Sequence, residues 1–408
     1  MWHSRWIHRG APQRCFGGGQ SRVAELRAER LQPLSLMRRL EMFGSWSRYH
    51  HQEFESSGAL GIEYGLLTWN ARAVAYNGHL GPFEHGAFGV SAQVRDYAAG
   101  GFSFTPETIE RTISAFSYQD FHLDEWAVQV GLRADLRNVM PSETYTADIG
   151  DIRERSFSGL SASFSVERPI SQRTSFGLRA MRGLRLPGIE ELFSEGPHLA
   201  AYSFEVGNPD LSLEVGYGVE ATLRHEGKRL RGMAAVFHNQ FDAFIFPRNT
   251  GELNYRIYVP IYQYTGTDAV MTGAEGRASL GLMPGWQVEQ TLSWVRGTLT
   301  ELDTPIPWTP PLRSSTSVTW AAGSWRTSFT LRAMSRQDRL GPFEEGTEGY
   351  AVPDASVQYH MIAGGVMHTF LLAIDNLTDA TYRDHLSRVK SIMPEPGRNI
   401  RLLYRSYF

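Results

Sequence analysis

The chain has one cysteine, Cys15, in 408 residues. That excludes an internal disulfide and a cysteine-built zinc site. Lysine is almost missing: Lys228 and Lys390 are the only two among 40 basic residues. The bias reads as genome composition, although lysine and arginine differ in hydration and geometry. No run of about 18 apolar residues occurs, so no helix is available to span a bilayer. A mean hydropathy of −0.31 leaves a membrane protein open, because a transmembrane β-barrel alternates apolar with polar residues. The net charge is −3, whereas a nucleic-acid binder should be basic, so no nucleic-acid partner is expected. The N-terminus is charged throughout and lacks the apolar core of a secretory signal. The G-x-S-x-G, H-E-x-x-H, P-loop and post-strand G-x-G-x-x-G motifs are all missing, and no enzyme is expected.

What the chain does have is a period of two. In residues 213–223, Leu213, Val215, Tyr217, Val219, Ala221 and Leu223 share one face, with Glu214, Glu220, Thr222 and Arg224 on the other. Residues 157–167 repeat the pattern with Leu160, Ala162, Phe164 and Val166 against Ser161, Ser163, Ser165 and Glu167. Residues 126–136 set Trp126, Val128, Val130, Leu132, Ala134 and Leu136 against Gln129, Arg133 and Asp135. Successive strand side chains point to opposite faces, so each segment has one greasy and one wet face. On a helix the same apolar residues would circle the cylinder.

The links between strands alternate in length. Short ones fall near 120–124, 168–172, 226–228, 283–285, 321–324 and 361–366, several with Gly or Pro turn signals. Long ones fall near 98–109, 137–155, 183–211, 241–268, 298–312, 336–351 and 377–398. A soluble sandwich has no reason to alternate in this way, whereas an outer-membrane barrel has short periplasmic turns and long extracellular loops. About 17 strands are expected, the last being 399–408. Trp286, Trp294, Trp320, Trp325, Tyr404, Tyr407 and Phe408 at strand ends suit interfacial girdles.

Several motifs then resemble those of TonB-dependent outer-membrane receptors. Arg185-Leu-Pro-Gly-Ile-Glu-Glu-Leu-Phe193 resembles the family's R-x-P-x-x-x-E-L-F segment. Gly196-Pro-His-Leu-Ala200, Phe204-Glu-Val-Gly-Asn-Pro-Asp-Leu211 and Glu214 resemble its GPH-x-A…FE-x-GNP-x-L-x-x-E run. Asn376-Leu-Thr-Asp379, Pro396-Gly-Arg-Asn399 and the terminal Phe408 resemble its closing motifs. The GPH segment, with His385 and Lys390 between Asn376 and Gly397, looks closest to the zinc-uptake subgroup.

The resemblance implies an all-β transmembrane antiparallel β-barrel of 22 strands around an N-terminal plug, importing a scarce nutrient with energy from TonB. A plugged 22-stranded transporter is itself a known example of barrel geometry. Against that pattern the chain is expected to be incomplete: about 17 strands, no plug domain and no TonB box. Residues 1–20 are expected to be an atypical, disordered N-terminus, and 21–408 a partial barrel that does not transport alone. The expected partners are outer-membrane lipid, the TonB complex through the missing N-terminal part, and the barrel-assembly machinery through the strand ending in Phe408. The protein is expected to be a monomer in the outer membrane of a Gram-negative bacterium.

For cargo the resemblance favours zinc, with an iron chelate (haem or siderophore) as the alternative and no permanently bound cofactor. Candidate ligands are His51 and Glu53, one face of an early strand together with Glu55, and His198 in the long link near Glu190, Glu191 and Glu195. Imidazole with carboxylate is a zinc-competent donor set. The bland alternative is that these are exposed polar residues of extracellular loops. His79, His85, His122, His225, His238, His360 and His368 read as interfacial or lumenal. A competing class is a plug-less passive porin.

Overall fold

The computed structural model describes residues 16–54, 57–101, 105–198 and 201–408. Cys15 and Glu55 lie outside the described residues. The chain divides into two compact units, one comprising Met1–Val166, Ala180–Tyr217 and Phe241–Asp268, the other Glu167–Arg179, Gly218–Gln240 and Ala269–Phe408.

The first unit opens with a meander: β1 (Phe16–Leu34), β2 (Met37–Phe54), β3 (Leu60–Asn77), β4 (His85–Gly101), β5 (Thr105–Leu123) and β6 (Trp126–Pro141). Each pairs antiparallel with the next. The first strand begins at Phe16, upstream of the boundary expected after residue 20. Then come the ribbon β7 (Tyr145–Ala147) and β8 (Gly150–Ile152), β9 (Arg155–Ser171), β10 (Thr174–Arg185), α1 (Ile189–Phe193), β11 (Glu195–His198) and β12 (Ser203–Val206). Next in chain order are β13 (Glu214–Glu226), β14 (Leu230–Asn254) and β15 (Val259–Met283), which, like β9 and β10, have residues in both units.

The second unit continues with β16 (Trp286–Leu299), β17 (Thr304–Pro305), β18 (Arg313–Ala322), β19 (Trp325–Met334), β20 (Tyr350–Ala363), β21 (Val366–Asp375) and β22 (Asn399–Tyr407). β16 pairs antiparallel with both β15 and β18, and from β18 to β22 each strand pairs antiparallel with the next. Among the described residues 17 strands have nine residues or more, and β7, β8, β11, β12 and β17 are short.

Register explains the alternation. In the meander one row across β2 to β6 reads Gly44, Ala71, Ala92, Ile113, Leu136. The adjacent row reads Ser45, Asn70, Gln93, Thr112, Arg137. The apolar row is the uncovered one: Ile113 is 61% and Leu136 59% exposed, whereas Ser114 and Asp135 of the opposite face are buried. Leu132, Leu160, Phe164, Tyr217, Val219 and Leu223 are exposed in the same way. Removing apolar area from water is worth about 25 cal/mol per Å². A wall that turns Leu and Ile outward and Asp inward is therefore built for lipid on its outer side.

Turns follow their chemistry. Gly364 and Gly365 both have positive φ, 61° and 79°, between β20 and β21. Gly285, at φ 82°, joins β15 to β16, and a Cβ there would lie 2.5 Å from the Ala321 carbonyl oxygen. Beside these short turns Trp286 and Trp320 approach to 6.5 Å between ring centroids, and Trp325 and Tyr359 to 4.6 Å. Such a belt suits the headgroup level.

Three of the expected long links, 98–109, 137–155 and 241–268, are mostly strand. Residues 98–101 and 105–109 belong to β4 and β5, and 241–254 and 259–268 to β14 and β15. At these ends links pack over the strands, so that the successive residues Ile245 and Phe246 are both buried, and the apolar alternation fades while the backbone pairing continues. That hides strand as loop in the sequence.

The two faces differ in what they tolerate. L132R, on the outer face, is expected to cost about 2–4 kcal/mol near the bilayer midplane, and S91R, on the inner face, less than about 1 kcal/mol. Denaturant titration of the protein refolded into vesicles measures both.

Candidate functional site

The inner face of the meander lines a cavity of about 1000 Å³ whose walls include Arg27, Glu41, Asn70, Arg72, Gln93 and Arg133. Its polar row is cross-linked. Asn70 donates to Ser45 Oγ at 3.1 Å and Gln93 donates to Asn70 Oδ1 at 2.8 Å. Arg137 donates from Nε to Thr112 Oγ1 at 3.2 Å and from Nη1 to the Pro187 carbonyl at 3.3 Å. Arg133 and Ser114 both hold Asp135, the hydroxyl donating at 2.6 Å. Glu110, 1% exposed, sits 3.7 Å from Arg95 and 3.6 Å from Arg137. A surface of fixed donors and acceptors with both charge signs suits a hydrated polar ligand or a polar protein segment.

The R-x-P motif forms a knot against this wall. Ile189, Leu192 and Phe193 of α1 are fully buried and pack with Tyr97, Val139, Ile152, Phe157, Leu211 and Ile245. Arg185 joins three segments: Nη1 to Glu191 Oε1 at 2.7 Å, Nε to Glu214 Oε2 at 3.2 Å, and Nη2 to the Ile245 carbonyl at 2.9 Å. Glu191 also accepts the Gly188 N–H at 2.8 Å, and Glu214 accepts the Ile245 N–H at 2.8 Å. Gly207 leaves no space for a side chain, since a Cβ would stand 2.9 Å from the Leu192 carbonyl. The residues of both motifs thus close on one another, and Glu191 serves Arg185 rather than a metal.

The closing motifs form a second knot. Asn376, 2% exposed, donates to the Ala380 carbonyl and accepts the Ala380 N–H, each at 2.8 Å. Asp379 accepts the Arg398 N–H at 2.7 Å, and a Cβ on Gly397 would stand 2.8 Å from that carboxylate.

The candidate ligands lie in pairs. His51 faces Tyr64 in a stack at 4.6 Å, with its Nε2 3.5 Å from Glu53 Oε1. Its Nδ1 has no hydrogen-bond partner among the described residues. His198, on β11, has Nδ1 3.3 Å from Glu205 Oε1. Among the described residues no group of three or more His, Cys, Asp or Glu side chains is poised to hold a metal ion. His51 and Glu53 are therefore together, and His198 is engaged with Glu205. Of the other histidines, His122 meets Glu84 at 2.9 Å and His368 meets the Tyr404 hydroxyl at 2.8 Å.

Sequence reasoning missed a cluster in the second unit. Glu344, His385 and Lys390 are all buried, the Glu344 side chain being 4% exposed. Glu344 Oε1 meets His385 Nε2 at 2.9 Å and Lys390 Nζ at 3.2 Å. Burial pushes this carboxyl up, but the His385 hydrogen bond, the Gly341 N–H, the Lys390 charge and the Trp308 N–H outweigh it and hold it at about 2. Burial lowers the Lys390 ammonium, with Glu344 opposing. The available signal was the rarity of lysine itself.

The family described as "TonB dependent receptor-like, beta-barrel" matches residues 18–377. Among solved structures the chain is similar to the copper transporter OprC, at 19% identity and a TM-score of 0.80, covering 97% of this chain and 65% of that one. It is similar to the FrpB iron transporter from Neisseria meningitidis, at 12% identity and 0.74, covering 97% and 64%. It is also similar to the Serratia marcescens hemophore receptor HasR, solved with its hemophore HasA and heme, at 15% identity and 0.71, covering 96% and 66%. At such identities the likeness establishes the fold. The chain spans slightly less than two thirds of the length of the first two.

Two outcomes test the knots. R185M is expected to cost about 2–3 kcal/mol in denaturant unfolding, because it strands the carboxylates of Glu191 and Glu214, which are 19% and 10% exposed. The triple change R185M/E191Q/E214Q recovers part of that loss. For Glu344, whose folded value lies near 2 against 4.5 for an ordinary glutamate, ionisation adds stability that is present above 4.5 and lost as pH falls towards 2. Melting temperatures between pH 5 and 2 should fall more steeply in the wild type than in E344Q.

Proposed function

Because the chain belongs to the TonB-dependent receptor-like β-barrel family, we propose that it is the barrel portion of a receptor importing a scarce metal or metal chelate, with zinc the favoured cargo. Its place is the outer membrane of a Gram-negative bacterium, and it is a transporter component rather than an enzyme. The observation that carries the import reading is the polar inner face with its cavity of about 1000 Å³, backed by an apolar face turned to lipid. Zinc is supported by the GPH segment and by two imidazole–carboxylate pairs, His51 with Glu53 and His198 with Glu205. Each pair supplies about half of a four-ligand nitrogen and oxygen shell. In this reading cargo draws His51, Glu53 and His198 together as it passes the long-link end of the wall.

The remaining partners follow. TonB supplies energy through a part of the receptor other than this wall, the assembly machinery reads β22 ending in Phe408, and the receptor works as a monomer. The relatives named for copper, iron and heme keep a chelate as the competing cargo.

Radiolabelled zinc uptake tests the proposal in zinc-starved cells deleted for the gene and complemented with its full-length form. Uptake should require TonB and should fall by about tenfold in H51A or H198A. Uptake of heme or a ferric siderophore without zinc would transfer the cargo to iron, and unchanged zinc uptake in H198A would remove that residue. Uptake that persists without TonB would mean a passive pore.

A further inference from the structure

Lys390 is one of two lysines in a chain whose other basic residues are arginine, and it is 7% exposed. The three nearest contacts of its ammonium are the His385 carbonyl at 3.0 Å, Glu344 Oε1 at 3.2 Å and His385 Nδ1 at 3.2 Å, with His385 Nε2 farther off at 3.5 Å. An ammonium has three donors, so this site is matched to lysine; an arginine fork would bring five. The partners also assign the imidazole. Nδ1 faces Lys390 Nζ and, at 3.1 Å, the Thr347 hydroxyl, while Nε2 faces the Glu344 carboxylate at 2.9 Å. Donors beside Nδ1 and a carboxylate beside Nε2 match the tautomer with its N–H on Nε2.

The carboxylate at the centre ties together three chain segments that are far apart in sequence. It accepts the Trp308 N–H at 2.9 Å from link 300–312, and the Gly341 N–H at 3.0 Å from its own link 335–349. His385 and Lys390 come from link 376–398. Weaker ties run parallel: Gln337 donates to the Thr309 carbonyl at 2.8 Å, and the Arg388 guanidinium lies 4.2 Å over the Trp308 ring. Glu345 and Asp384 also act on the Lys390 charge, and Arg383 donates to the Lys390 carbonyl.

We propose that Glu344, His385 and Lys390 form a buried charged pin that makes links 300–312, 335–349 and 376–398 one rigid cap, with Lys390 as its positioning residue. The cap does not open link by link, so movement that admits cargo falls to other segments. The physical ground is the asymmetry of buried ion pairs. Removing one partner leaves an uncompensated charge out of water, whereas removing both is far less costly. The inference does not depend on the identity of the cargo.

Hydrogen exchange on the full protein in detergent tests it, comparing wild type with K390M, K390R and the double variant E344Q/K390M. K390M should raise amide exchange about tenfold or more in all three links together, including the amides of Trp308 and Gly341, while strands β18 to β21 stay protected. The double variant should recover part of the protection, and K390R should not. Loosening confined to link 376–398 would overturn the proposal, as would a double variant as loose as K390M or full rescue by arginine. If K390M fails to assemble, the double variant decides: joint loosening of the three links supports the pin, and loosening of one alone refutes it.

Discussion

Hydrocarbon offers no hydrogen-bond partners to a backbone, so every N–H and C=O that crosses it must be paired within the protein. Long antiparallel strands meet that demand, and in the meander each of β1 to β5 pairs antiparallel with the strand that follows it. Once the backbone is paired, side chains can only alternate. Their alternation gives the wall an apolar outside, with Ile113 and Leu136, and a polar inside, with Asn70, Gln93 and Arg137. The polar rows are cross-linked across strands because a side chain on that face meets a neighbour about 5 Å away in the next strand.

Strands alone leave the long links without a core, and the family motifs answer that need. Arg185, Glu191 and Glu214 come from three places in the chain and close one knot. Asn376, Asp379 and Gly397 close another, and Glu344, His385 and Lys390 a third. The first also encloses an apolar cluster around Ile189, Leu192 and Phe193, and all three use charge or an amide to hold the links. Residues that look like ligand chemistry in the sequence, Glu191 above all, turn out to be fastening.

The wall was legible because its signal is local and repeats every second residue. The strand count and the outward faces of residues 130–136, 160–166 and 217–223 follow from that period, while Val128, Leu213 and Val215 in the same segments are covered. The ends of β4, β5, β14 and β15 were not legible, since links from elsewhere in the chain cover them, Ile245 and its neighbour Phe246 are both buried, and the period is lost. The knots were half legible. Their motifs could be seen, but Arg185 and Glu214 lie 29 residues apart, and no local pattern announces such a pairing. Likewise His385 and Lys390 stood out as markers of kinship while Glu344, their third member, carried no signal. The expected three-residue metal site resolves into one pair, His51 with Glu53, and a separate histidine held by Glu205.

The two-faced wall is the claim on which the rest stands, and fluorescence quenching by brominated lipid measures it directly. Single cysteines placed in turn at 126 to 136, in a background with Cys15 replaced, carry a small fluorophore. Labels at Val130, Leu132, Ala134 and Leu136 should be quenched, and those at Gln129, Gly131, Arg133 and Asp135 should not. Quenching of the odd positions, or of neither set, would contradict the account.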